Sequence, residues 1–153
     1  MSLELGGKSP HIIFEDADLN RAAMMAGYGV FSLTGQACAA GSRLFIHDSV
    51  YDEFLQKVGQ VARTMKVGDP LSGSTQVGPL MTPESRDRVH NIVTQAVSSG
   101  ATLHMGGKAP ADMATGGFYE PTILTDVDPL SEVAREEIFG PVLCAFRFSD
   151  TRS

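Results

Sequence analysis

Short apolar, β-branched runs alternate along this chain with stretches whose apolar residues recur every three to four positions, and that alternation restricts the fold more than any other feature. The run Pro10 to Phe14 (PHIIF) comes shortly after the glycine pair Gly6 and Gly7 and reads as a buried strand of a parallel sheet. From Asp18, a suitable N-cap, the residues Leu19, Ala22, Ala23, Ala26, Val30 and Phe31 fall at helical spacing with no proline between them. Ser32 to Ser42 (SLTGQACAAGS) is a connection of small residues without an apolar period, and Arg43 to His47 is a strand. Val50 to Met65 carries Val50, Phe54, Val58, Val61 and Met65 on one helical face and ends before Gly68, Asp69 and Pro70.

The second half repeats the pattern. Thr82 caps a third helix with Pro83 at its first position and Gly100 just past its end, and Val89, Ile92, Val93, Ala96 and Val97 form its buried stripe. Strands follow at Ala101 to Met105, near Pro121 to Leu124 and at Val142 to Phe148, with an acidic helical turn at Ser131 to Glu137. The fold class that results is α/β, an open and mainly parallel sheet with flanking helices. An α/β domain ordinarily continues with a helix after such a last strand, so the sheet is expected to be incomplete and the chain to be part of something longer.

Composition removes several classes of function. The 153 residues, 42% of them apolar, suffice for one core. A net charge of -6, from 18 acidic against 12 basic residues with no basic stripe, argues against nucleic acid as a partner. No run approaches the roughly 20 apolar residues of a membrane span, and no basic segment followed by an apolar run opens the chain. No membrane association or export is expected. The two cysteines, Cys38 and Cys144, have no C-x-x-C pattern or histidine cluster around them, so no metal is expected. Reduced thiols fit a cytoplasmic or organelle-matrix setting, and cytoplasmic is the expectation.

The residues that could carry chemistry each have two readings. Cys38, among Ala37, Ala39, Ala40 and Gly41, is either a small packed hydrophobe or a nucleophile whose small neighbours admit substrate and leave backbone N–H groups to face an oxyanion. Cys144 sits in the strand VLCAF and reads as core. Glu4, before Gly6 and Gly7, is either a solvated carboxylate or a general base at the entrance to a strand. Glu136 and Glu137, before Ile138, Phe139 and Gly140, pose the same choice. The glycine pairs at 6–7, 106–107 and 116–117 form neither G-x-G-x-x-G nor a P-loop, so the chain offers no phosphate cradle of its own.

Taken in order, these segments resemble the aldehyde dehydrogenase superfamily. LELGGKSP from Leu3 to Pro10 is similar to its glutamate motif, Gly35 to Cys38 (GQAC) to its cysteine motif, and Glu136 to Val142 (EEIFGPV) to its third motif. The similarity extends to Gly41 to Arg43, Val67 to Pro70, Gly78 to Leu80 and Phe118 to Thr122. The resemblance implies NAD(P)-dependent oxidation of an aldehyde to a carboxylic acid, with Cys38 as nucleophile passing through a thiohemiacetal and a thioester. It implies Glu4 as the base that hydrolyses the thioester, Glu137 as the residue that binds the nicotinamide ribose, and Phe139 as the aromatic packed near the nicotinamide. Lys8 and Gln36 take supporting structural roles. The cofactor is NAD or NADP.

The same resemblance makes residues 1–153 a partial catalytic domain. The dinucleotide-binding and oligomerisation segments of the family lie outside it, so the chain alone is expected to be inactive and the parent enzyme to be a homo-oligomer, a dimer or a tetramer. Two alternatives are a non-catalytic interaction module or relic, and a CoA-acylating dehydrogenase. Members of the latter group commonly lack the glutamate, so Glu4 favours hydrolysis.

Overall fold

The computed structural model describes residues 1–149, in which five strands and four α-helices alternate. The strands are β1 (Pro10–Ile13), β2 (Arg43–His47), β3 (Thr102–Met105), β4 (Thr122–Thr125) and β5 (Val142–Phe148). The helices are α1 (Leu19–Phe31), α2 (Tyr51–Thr64), α3 (Pro83–Ser98) and the single turn α4 (Glu132–Arg135). The strands form one sheet in the order β1-β2-β5-β4-β3. β1, β2, β5 and β4 run parallel, and β3 pairs antiparallel with β4 at the far edge.

The helix starts follow their local chemistry. The Asp18 carboxylate accepts from the N–H groups of Asn20 and Arg21, both at 3.1 Å, and the Thr82 hydroxyl accepts from Ser85 N–H at 3.1 Å ahead of Pro83. Caps of this kind contribute about 1 kcal/mol each, by satisfying donors that the first turn leaves unpaired. Gly100, at φ +109, stands just past the end of α3 as expected.

Strand alternation sorts the core into two layers. On one face Ile13, Leu44, Ile46, Ile123, Leu143 and Ala145 pack with Phe31, Phe54 and Val58 of α1 and α2. On the other, Leu124, Val142, Cys144 and Phe146 pack with Val89 and Val93 of α3, Val133 and Ala134 of α4, and Tyr119. Phe31 and Phe54 are fully buried, and each such side chain contributes roughly 1.5–3 kcal/mol by leaving water.

Two features differ from the sequence reading. β1 is parallel, as expected, but it is an edge strand: Ile13 is buried while Ile12 and Phe14 are 51% and 44% exposed. The core layer with α1 and α2 includes Ile13 of β1, whereas the layer with α3 and α4 takes in residues of β2, β4 and β5 and none of β1. Val97 is likewise exposed, because the contact of α3 with the sheet ends at Ala96.

Candidate active site

Three adjacent parallel strands determine where the motif residues meet. β1, β2 and β5 run side by side in one direction, so the segments leading into them emerge at the same edge of the sheet. In register, Pro10 lies beside Arg43 and Arg43 beside Cys144. Glu4 stands six residues before Pro10, Cys38 five before Arg43, and Phe139 five before Cys144. Residues distant in sequence are thereby delivered to one level. Glu4, Cys38, Glu137 and Phe139 line a single open groove of about 470 Å³, together with Leu5, Gly6, Gln36, Ala37 and Ala39.

The three segments are fitted to one another at seams where glycine leaves the room. A Cβ on Gly7 would stand 2.8 Å from the Cys38 carbonyl oxygen, and one on Gly6 would stand 2.7 Å from Glu137 Oε2. At the third seam a Cβ on Gly35 would collide with the Gly140 carbonyl, and Gly35 also holds φ +67. The glutamate segment thus touches both others, and the cysteine segment rests on the loop that carries Phe139.

Hydrogen bonds fix the individual groups. Gly7 N–H donates to Glu137 Oε1 at 3.2 Å, which holds a half-buried carboxylate at the groove wall. Arg88 of α3 donates to the Ile138 carbonyl, between Glu137 and Phe139. Phe139 adopts φ +54, an uncommon backbone for an aromatic residue, with its ring partly exposed in the groove. Arg43 Nε donates to the Lys8 carbonyl at 2.7 Å, tying the glutamate segment to the start of β2. Gln36 Oε1 accepts from Met81 N–H at 3.0 Å. The first tie is made by the Lys8 main chain and the second by the Gln36 side chain. The Lys8 ammonium is buried without a hydrogen-bond partner among the described residues, and burial holds its pKa below the usual lysine value, opposed chiefly by nearby Cys144.

The two thiols occupy opposite environments. Cys38 is exposed on its loop, and its backbone N–H makes no backbone hydrogen bond among the described residues. Cys144 is fully buried, its thiol donates to the Val133 carbonyl at 3.5 Å, and burial pushes its pKa up to about 11, with Lys8 opposing. Limited iodoacetamide treatment of the folded chain at about pH 8, mapped by mass spectrometry, should therefore label Cys38 first, since the thiolate is the reactive form. Preferential labelling of Cys144 would contradict the assignment.

No group of three or more histidine, cysteine, aspartate or glutamate side chains suited to a metal ion occurs among the described residues.

The model of the aldehyde dehydrogenase family matches residues 1–153. The chain is 46% identical over 154 residues to 5-carboxymethyl-2-hydroxymuconate semialdehyde dehydrogenase of Escherichia coli, covering 97% of this chain and 33% of that protein. It is 44% identical over 149 residues to the peroxisomal aminoaldehyde dehydrogenase 2 of Pisum sativum, covering 97% and 30%. Among solved structures, betaine aldehyde dehydrogenase of Staphylococcus aureus in complex with NAD+ superposes with a TM-score of 0.93 at 37% identity, covering 97% of this chain and 30% of that one. The chain thus spans about a third of the length of the proteins it matches.

Proposed function

We propose that this chain, which belongs to the aldehyde dehydrogenase family, carries the nucleophile and the base of an NAD(P)-dependent oxidation of an aldehyde to a carboxylic acid. The observation that supports the reading most directly is the convergence of Cys38, Glu4, Glu137 and Phe139 on one groove. Cys38 thiolate forms a C–S bond to the aldehyde carbon, and the carbonyl electron pair moves onto oxygen to give a thiohemiacetal. The unengaged Cys38 N–H is one donor to that oxygen. A bound NAD or NADP would supply the hydride acceptor, and loss of that hydride from the thiohemiacetal carbon would leave Cys38 acylated as a thioester. Glu4 then takes a proton from water, the water oxygen adds to the acyl carbon, the C–S bond breaks, and the carboxylic acid leaves. Glu4 in the groove favours water over coenzyme A as the acyl acceptor.

The residues present fit the nicotinamide end of the cofactor. The Glu137 carboxylate, held at the groove wall beside a glycine with no side chain to fill the space, suits the ribose hydroxyls. Phe139 offers an aromatic face for the nicotinamide ring. On this reading residues 1–153 are part of a catalytic domain. Dinucleotide binding and subunit association come from other segments, and the complete enzyme is a homodimer or homotetramer. Two unpaired thiols fit a reducing compartment, the cytoplasm or an organelle matrix. No helix among the described residues is long and apolar enough to cross a membrane.

The chain alone, mixed with NAD or NADP and a panel of short aliphatic and aromatic aldehydes, is expected to produce no reduced cofactor above background. Glu137 and Phe139 face only the nicotinamide end of a long ligand, and nothing among the described residues anchors its pyrophosphate or adenosine and holds the ring near Cys38. Clear turnover, followed by absorbance of the reduced nicotinamide, would show that the chain is sufficient and that the proposed division of labour is wrong.

A further inference from the structure

The turn that launches the cysteine loop contains two consecutive left-handed residues, Thr34 at φ +57 and Gly35 at φ +67. Glycine adopts that backbone freely, but a β-branched residue does so only when its surroundings impose it. Thr34 is buried, and its hydroxyl donates to the Gly78 carbonyl at 3.1 Å, far away in sequence. Its N–H donates to the Phe31 carbonyl at 2.9 Å, at the end of α1. Two residues on, Gln36 accepts from Met81 N–H. The segment from Gly78 to Met81 therefore grips the turn on both sides of Gly35, which itself rests on Gly140. Past Gln36 the grip ends, and the next bond within the loop is Ala40 N–H to the Ala37 carbonyl at 3.0 Å.

We infer that Thr34 is a positioning residue for Cys38: its buried hydroxyl, bonded to the Gly78 carbonyl, holds the left-handed turn from which Cys38 is aimed into the groove. The inference rests on Cys38 being the nucleophile. Nothing in the sequence pattern marks Thr34, which reads there as one more small residue of a connection. Its effect on the chemistry passes through the direction of the Cys38 side chain, so it belongs to acylation. Glu137 accepts from Gly7 N–H and the Ile138 carbonyl accepts from Arg88, and neither bond involves Thr34, so cofactor binding should be indifferent to it.

The test is the pre-steady-state burst of reduced nicotinamide in the complete enzyme that contains this chain. Thr34→Val keeps the branched shape and removes the donor. It should slow the burst about tenfold or more, since small misplacements of a reacting group are costly, with KM for the cofactor within about twofold. Thr34→Ser keeps the hydroxyl and should restore the burst rate. Thr34→Gly accepts the left-handed backbone without strain, and so should fold while lacking the donor. It should be as slow as Thr34→Val. A normal burst in the valine or glycine variant, or a serine variant as slow as valine, overturns the role of Thr34. A Cys38→Ser enzyme whose first-turnover rate of reduced-nicotinamide formation is unchanged overturns the nucleophile reading, and this role with it.

Discussion

Cys38→Ser in the complete enzyme should abolish both the burst of reduced nicotinamide and steady-state aldehyde oxidation, a loss on the order of 10⁴-fold or more. The exchange is nearly isosteric, so the exposed loop, the Gly35 contact with Gly140 and the Gly7 contact with the Cys38 carbonyl all survive it. The nucleophile alone changes. A serine hydroxyl is barely ionised at neutral pH and would form an ester where the thiol forms a more reactive thioester. Cofactor affinity should be preserved, since the bonds that hold Glu137 and the Ile138 carbonyl beside Phe139 do not involve the Cys38 side chain. Stopped-flow absorbance and cofactor titration on the same preparation separate the two effects. A serine variant with a normal burst would remove Cys38 from the chemistry.

Glu4→Gln should divide the reaction. The amide keeps the length and shape of the side chain but takes no proton from water, so deacylation should slow on the order of 100-fold or more while acylation proceeds. The first turnover then gives close to one equivalent of reduced cofactor per site, followed by a slow steady state. Loss of the burst in this variant would mean that Glu4 acts mainly by deprotonating Cys38. Unchanged turnover would mean that Glu4 is a solvated carboxylate at the mouth of the groove.

The elements of the fold were legible in the sequence wherever local chemistry decides them. Asp18 and the pair Thr82 and Pro83 fix helix starts, and Arg43–His47 and Val142–Phe148 announce themselves as β-branched or apolar runs between turns. What could not be read is layer coverage and strand order. Ile12 and Phe14 are as apolar as any buried strand, and only the tertiary arrangement leaves one side of β1 uncovered. Likewise, nothing local to Val142–Phe148 places it between β2 and β4, since that is settled by which faces the intervening helices bury.

That insertion is also why the site was only partly legible. Taken singly, Cys38, Glu4 and Glu137 each admit an ordinary structural reading, and spacing along the chain does not choose between the readings. The placement of β5 beside β2 brings the third segment alongside the other two and turns separate residues into one groove. The left-handed backbones of Thr34 and Phe139 were invisible for a different reason. Neither residue type favours that conformation, so packing imposes it.

The most direct test is to trap the acylated enzyme. The complete enzyme carrying Glu4→Gln, mixed with an aldehyde and NAD or NADP, quenched in acid after the burst and digested, should yield one modified peptide. Its added mass should equal the acyl group of the aldehyde used, carried on Cys38 and removed by hydroxylamine as a thioester. A burst with the acyl group on another residue, or with no covalent adduct at all, would contradict the account.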